Sequence, residues 1–264
     1  MSAKVMGVLN VTPNSFSDGG LYIKPEEALR RAQEMVLEGV DIIDVGGESS
    51  RPGAKPVSVE EELDRVIPVV EKLSSLPISI SIDTTKPEVM AEAVSAGADM
   101  VNDISSLQSK SSIQVVKNTG VSVCLMHMQG CPDTMQDSPQ YNSVVDDVYE
   151  FFKSKITECE VCGVNKNKII LDPGFGFGKT LQHNLLLMKH IQKFKDFSVP
   201  LMIGVSRKSM IGEILKQDNV NQRLVGSLSL AVIAVWQGVD IIRVHDVKET
   251  IEAIKICSAV MDVD

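Results

Sequence analysis

Aromatic residues make up only 4% of this 264-residue chain, and tryptophan occurs once. A stacking platform for single-stranded nucleic acid needs more rings than that. Cations are outnumbered, 26 Lys and Arg against 35 Asp and Glu, for a formal net charge of −9. That balance disfavours general nucleic-acid binding, which rests on neutralising phosphates. It leaves room for a small anion held by a few local cations. No apolar run reaches the roughly 18 residues of a membrane span. No low-complexity tract or Pro/Gly/Ser linker divides the chain. Five cysteines are an odd number, which argues against a disulfide framework and for reduced thiols. Met1-Ser2-Ala3-Lys4 runs almost directly into an apolar strand without the build of a signal peptide. These absences predict a cytoplasmic protein with neither nucleic acid nor membrane as partner. At 44% hydrophobic, the chain is not disordered and buries a core without staples.

What is present is a recurring unit. Gly39-Val40-Asp41-Ile42-Ile43, Gly97-Ala98-Asp99-Met100-Val101 and Gly238-Val239-Asp240-Ile241-Ile242 each follow a helical pattern, and Gly120-Val121-Ser122-Val123 is a looser copy. The glycine suits a left-handed helix cap, and the apolar run after it suits a strand buried on both faces. Such runs predict eight strands, at 5–9, 42–45, 78–82, 100–104, 122–126, 168–171, 201–205 and 240–244. Helical patterns cover 25–38, 60–73, 87–96, 144–162, 183–194, 223–236 and 248–260. Eight strand–helix steps in about 250 residues is the arithmetic of a (β/α)8 barrel. The expectation is one such α/β barrel domain over 1–264, with a doubly wound open sheet as the structural rival.

Every predicted strand ends in polar or glycine-rich residues. The ends carry Asn10, Glu48 to Arg51, Asp83-Thr84, Asn102-Asp103, His127, Asp172, Ser206-Arg207-Lys208, and Arg243 with His245. In a parallel barrel these ends meet on one rim, where barrel enzymes place their chemistry. Any one of them reads equally well as a turn residue or helix cap. The ring as a whole does not, because Arg51, Arg207, Lys208 and Arg243 do not cap helix N-termini. Those cations gather after strands 2, 7 and 8, which points to a phosphorylated or pyrophosphorylated small ligand. Asp83 follows the isoleucine-serine alternation of 78–82, and Asp172 follows the apolar Ile169-Ile170-Leu171. They suit acceptors for ligand N–H groups, a general acid or base, or metal ligands, and the sequence leaves these roles open.

Other motifs carry less. Gly174-Phe175-Gly176-Phe177-Gly178-Lys179-Thr180 resembles a phosphate-cradling loop, but the required first glycine is Pro173, and the dinucleotide spacing also fails. Cys159-Glu160-Val161-Cys162 has no second pair and falls at a helix end, so it reads as packing. His127, between Met126 and Met128, reads as either a core or a catalytic histidine.

Taken in order, the motifs resemble the dihydropteroate synthases. The likeness runs through Val8-Leu9-Asn10-Val11-Thr12-Pro13-Asn14-Ser15-Phe16-Ser17-Asp18-Gly19-Gly20 and Gly46-Gly47-Glu48-Ser49-Ser50-Arg51-Pro52-Gly53-Ala54. It continues in Asp172-Pro173-Gly174-Phe175-Gly176-Phe177-Gly178-Lys179, Ser206-Arg207-Lys208-Ser209 and Arg243-Val244-His245-Asp246. The resemblance implies a barrel and a reaction. In it p-aminobenzoate displaces pyrophosphate from 6-hydroxymethyl-7,8-dihydropterin pyrophosphate to give 7,8-dihydropteroate for folate synthesis. Mg2+ assists, and sulfonamides compete for the p-aminobenzoate place.

The family pattern assigns the pterin to Asp83, Asn102, Met126, Asp172 and Lys208. It assigns the pyrophosphate to Asn10, Arg243 and His245, with Asn10 touching Mg2+. For p-aminobenzoate it implies Ser50, Arg51, Pro52, Phe177, Ser206 and Lys208. Asn10, Lys208, Arg243 and His245 would then carry the catalysis. Segments 12–21 and 46–57 read as mobile covers. With Mg2+, Arg243 and His245 spreading the pyrophosphate charge and an electron-rich pterin to carry the cation, bond breaking is expected ahead of amine attack. The lack of an evident nucleophile-and-base pair agrees with that order. Two positions depart from the pattern: Ser50 replaces the usual Thr, and Asn14 stands where Asp is frequent. They put ring contact and a cover-loop charge in question. Rival readings are a methyltetrahydrofolate:corrinoid methyltransferase and a non-catalytic pterin-binding paralogue. The loop at 50–52 and the Ser206-Arg207-Lys208 site argue against the first, and the presence of Asn10, Arg243 and His245 argues against the second. The resemblance also implies a homodimer through 223–236 or 248–260.

Overall fold

The computed structural model describes residues 3–12, 25–49 and 55–263. Its strands are β1 (Lys4–Asn10), β2 (Ile42–Gly46), β3 (Ser79–Asp83), β4 (Met100–Asp103), β5 (Ser122–Met126), β6 (Ile169–Asp172), β7 (Met202–Ile203) and β8 (Ile241–Val244). Helices run between them: α1 (Pro25–Glu38), α2 (Val59–Leu73), α3 (Pro87–Ser95), α4 (Lys110–Thr119), α5 (Val144–Val161) and α6 (Leu181–Lys189). Then come α7 (Ser209–Leu215), α8 (Leu224–Trp236) and, after the last strand, α9 (Val247–Met261). All pairings are parallel, in the order β7-β8-β1-β2-β3-β4-β5-β6. A parallel bridge between Leu171 and Leu201, with the Leu171 N–H donating to the Pro200 carbonyl at 3.0 Å, joins β6 to the start of β7. The ring so formed is the (β/α)8 barrel expected from the strand count, and the doubly wound sheet is excluded.

The repeated Gly-x-Asp unit has a physical role at the bottom of this barrel. Gly39, Gly97 and Gly238 turn the chain with positive φ. Each aspartate that follows then accepts from the first amides of the preceding strand. Asp41 Oδ2 takes the Val5 N–H at 2.7 Å, Asp99 Oδ2 the Ile80 N–H at 3.0 Å, and Asp240 Oδ2 the Leu201 N–H at 2.8 Å. Strand-end donors that would otherwise lack partners are satisfied in this way.

Strand side chains alternate between faces. One set packs outward under the helices and makes the main core, with Ile43, Ile82, Val101, Leu125, Leu171 and Ile242 among its buried members. The other set fills the barrel. Met6, Ile42, Met100, Cys124, Ile170, Met202 and Ile241 form a separate apolar plug, one residue from every strand but β3. On β3 the matching position is Ser81, fully buried, with its hydroxyl unpartnered. Two residues further along the same faces stand Asp44, Asp83, Asn102, Met126, Asp172, Gly204 and Arg243. Two further still come Asn10, Gly46, Ser206 and His245. The site is therefore layered on an apolar floor by the period of two.

The elements depart from the sequence reading in four places. Helix α4 was not expected. Its sequence is rich in β-branched and small polar residues, which are weak helix formers. Ser109 caps it by accepting the Ser112 N–H at 2.9 Å, and Ile113 and Val116 bury one face. The predicted helix at 183–194 is α6 followed by a 3-10 helix, Ile191–Phe197. It starts early because Thr180 and His183 cap each other reciprocally. Strand β7 is two residues long, not five, and the short α7 was unexpected. Among the described residues no helix is long and apolar enough to cross a membrane. The five cysteines form no disulfide; Cys159 is buried in the core and Cys162 is exposed at the end of α5.

Candidate active site

Arg243, on β8, sits at the centre of the polar layer. Its Nε donates to Asp44 Oδ2 at 2.6 Å and its Nη2 to Asp83 Oδ2 at 2.7 Å. The same Asp44 oxygen accepts from Asn102 Nδ2 at 3.0 Å. Strands β2, β3, β4 and β8 thus place three of the expected residues, Asp83, Asn102 and Arg243, in one network. Asp44 joins them, and the sequence reading missed it. Its signal was a lone carboxylate inside Ile42-Ile43-Asp44-Val45, facing the barrel interior by parity. A buried charge there requires a cation opposite. The second Asp44 oxygen, Oδ1, is buried with no partner.

Electrostatics follow from this crowding. Burial pushes Asp83 up to about 7 against the pull of Arg243, and Asp44 nearby adds to the rise. Arg243 is raised, because Asp44 and Asp83 outweigh its desolvation, and it stays charged. Across the barrel, Asp172 accepts the Gly174 N–H at 2.8 Å and is raised by burial, with Lys208 opposing. Burial lowers Lys208 to about 8 against the attraction of Asp172. Three carboxylates thus share the barrel's polar layer with two cations. Such a site favours a ligand edge rich in N–H donors.

The β7 loop sorts its three polar residues by direction. Arg207 adopts a positive φ of 58°, its N–H donates to Ser227 Oγ at 2.9 Å, and its carbonyl accepts from Arg223 Nη1 at 3.1 Å. Its guanidinium turns to Asp246, with Nε to Oδ2 at 2.9 Å. Arg207 is therefore committed to an ion pair, away from the anion position its place in the sequence suggested. Its neighbours face the other way. Ser206 Oγ lies 3.0 Å from His245 Nδ1 and accepts the His245 N–H at 3.2 Å. Lys208 donates to the Phe175 carbonyl and lies 4.5 Å from the centre of the Phe177 ring.

The remaining expected residues fall as follows. Met126 is buried at the end of β5, where Ser106 Oγ donates to its carbonyl at 2.6 Å. Asn10 ends β1 beside Gly46, and its amide makes no side-chain hydrogen bond among the described residues; its oxygen lies 3.5 Å from where a Cβ on Gly46 would stand. Ser50, Arg51 and Pro52 lie outside the described residues, as do Asn14 and most of the segment 12–21. The base of the second loop is described. Val57 N–H donates to Glu48 Oε1 at 3.0 Å, and Lys86 bridges Glu48 and the fully buried Glu62, each at 2.5 Å. His127 is buried just past β5; its N–H donates to the Asp172 carbonyl at 2.9 Å, while its ring is bonded to Lys179 and to none of the polar-layer side chains. No group of three or more His, Cys, Asp or Glu suited to a metal occurs among the described residues.

Comparison with known proteins bears on this geometry. Residues 6–245 match the family model described as pterin binding enzyme. A dihydropteroate synthase of Escherichia coli K12 is 52% identical over 258 residues, 97% of this chain and 91% of that protein. The structure of Yersinia pestis dihydropteroate synthase with a sulfonamide drug complex superposes with a TM-score of 0.95 at 50% identity, covering 99% of this chain and 95% of that one. That of the Xanthomonas albilineans enzyme in complex with 7,8-dihydropteroate gives 0.91 at 40% identity, covering 100% and 95%.

Proposed function

Because this chain belongs to the dihydropteroate synthases, the pterin-binding transferases that join 6-hydroxymethyl-7,8-dihydropterin pyrophosphate to p-aminobenzoate, we propose how its residues divide the work. Asp83, Asn102 and Asp172 receive the donor-rich pyrimidine edge of the pterin, with Met126 against the ring and Lys208 at its acceptors. The observation that carries this reading is the single network of Asp44, Asp83, Asn102 and Arg243 on the barrel floor, short of one positive charge.

Arg243 offers the leaving pyrophosphate its Nη1, which makes no hydrogen bond among the described residues, while Nε and Nη2 are held by carboxylates. His245, oriented by Ser206, stands beside it. Asn10 fits a Mg2+ ligand, since its amide oxygen makes no hydrogen bond among the described residues and this ion keeps several waters while taking few protein ligands. When bound, Mg2+ would neutralise charge on the pyrophosphate. The C–O bond to pyrophosphate breaks first, and the electron-rich dihydropterin carries the positive charge left on the methylene carbon. The amine of p-aminobenzoate then forms the C–N bond and releases its proton to water. Ser50, Arg51, Pro52, Phe177, Ser206 and Lys208 hold the benzoate, where sulfonamides compete.

The assembly we propose is a cytoplasmic homodimer. Outer faces of α8 and α9 expose Val225, Ile233, Trp236, Ile256, Val260 and Met261, an apolar area that a second copy would cover. The deciding experiment is turnover by the purified protein with Mg2+, following pyrophosphate and dihydropteroate together. Both should form, and Arg243→Ala should abolish both. Slow pyrophosphate release without p-aminobenzoate supports the dissociative order; a covalent enzyme intermediate caught by mass spectrometry overturns it.

A further inference from the structure

The sequence from Gly174 to Thr180 looks like a phosphate loop, yet its lysine turns away from any anion. Lys179 is 3% exposed. Its ammonium lies 2.9 Å from His127 Nδ1, 3.2 Å from the His127 carbonyl, and 3.0 Å from the carbonyls of both Gly174 and Phe177. Three N–H donors meet four acceptors, so the ammonium is saturated within the protein. His127 must be neutral to accept at Nδ1. Burial and the adjacent Lys179 lower it to about 3, so it is neutral at physiological pH. The edge of Phe151 fixes its ring at 4.9 Å and 90°.

We propose that Lys179, seated against His127, is a positioning residue for p-aminobenzoate. It pins both ends of the turn whose Phe175 carbonyl and Phe177 ring set the place of Lys208. This rests on the reaction assigned above and deepens it. Gly174 and Phe177 also close on each other, the Phe177 N–H donating to the Gly174 carbonyl at 3.1 Å. Gly176 is held by Asn184 Oδ1 at 2.8 Å. Among these restraints Lys179 alone reaches both ends of the turn and the end of β5. Of the pterin's contacts, Asp83, Asn102 and Arg243 hang separately, on Asp44, and only Asp172 and Lys208 are shared with this turn. Losing the lysine should therefore be felt first where Phe177 and Lys208 meet the benzoate.

Steady-state kinetics of Lys179→Met, which keeps length and removes the donors, test this, with thermal unfolding to establish that the variant is folded. The KM for p-aminobenzoate should rise about tenfold or more. The KM for the pterin pyrophosphate, which shares Lys208 and Asp172 with the turn but not Phe177 and keeps Asp83 and Asn102, should rise by about threefold or less. A rise confined to the pterin pyrophosphate would make Lys179 a phosphate ligand and overturn the proposal. So would equal losses in kcat/KM for both substrates, the signature of a merely structural role. Should Lys179→Met not fold, His127→Phe against His127→Gln serves instead. Gln retains an acceptor and should restore much of the p-aminobenzoate KM that Phe loses; identical behaviour of the two would refute the idea. Failure of the wild-type protein to make dihydropteroate would strike the assigned reaction itself and is seen before any variant is made.

Discussion

Asp44 carries two of the three bonds in the floor network, although no ligand role falls to it. In Asp44→Asn, Arg243 would keep a single carboxylate partner. The substitution removes the surplus negative charge and keeps an acceptor, so stability should fall by only about 1–2 kcal/mol for the weakened bonds, while a misplaced Arg243 should lower kcat/KM about tenfold or more. Denaturant melts and kinetics on the same preparation check both. The titration of the site gives a second expectation. Asp83, with its pKa raised to about 7, is protonated below that pH and loses an acceptor for the pterin edge. Lys208, lowered to about 8, loses its charge above that pH. Activity should climb through about pH 7 and fall beyond about pH 8. A pH–rate profile of Lys208→Arg should lack the alkaline limb, because guanidinium stays protonated. Strand-end residues such as Asp83 and Asn102 were legible because alternation and position placed them on the rim. Asp44 and Lys179 were not, since Arg243 is 199 positions from Asp44 and the His127 ring that seats Lys179 is 52 positions from it.

At the scale of elements, the β6–α6 turn is the most constrained piece. Gly174 has φ +69°, and a Cβ there would stand 2.0 Å from the His127 carbonyl. Gly174→Ala should destabilise the fold by about 3 kcal/mol or more, with the backbone of β5 unable to yield; calorimetry measures it. The Lys86 bridge makes a comparable claim for the second loop. Lys86→Met would leave the buried Glu62 and its neighbour Glu48 without their cation, at a cost of about 3 kcal/mol. Urea unfolding reports it directly. Strong amphipathic helices such as α1 and α2 were readable from spacing alone. Helix α4 was hidden, because its stability comes from a serine cap and packing and not from its residues' intrinsic preference. The brevity of β7 was hidden too, since its apolar run satisfies the barrel wall through a single bridge to β6.

For the molecule as a whole, the apolar faces of α8 and α9 predict association. Trp236→Glu, at a residue 57% exposed, should give a monomer by light scattering while the site residues keep their positions. The barrel was legible because one unit recurs along the chain, and that unit also divides the wall unevenly. Its aspartates tie β1 to β2, β3 to β4 and β7 to β8. No aspartate does this for β5 and β6 among the described residues, where Ser122, the first residue of β5, takes the aspartate's place in the repeat and Asn165 caps its own short helix. Amide protons at the bottom of β5 and β6 should consequently trade with deuterium before those of the three tied pairs. The barrel would then admit solvent first along that side, directly beneath Met126 and Asp172.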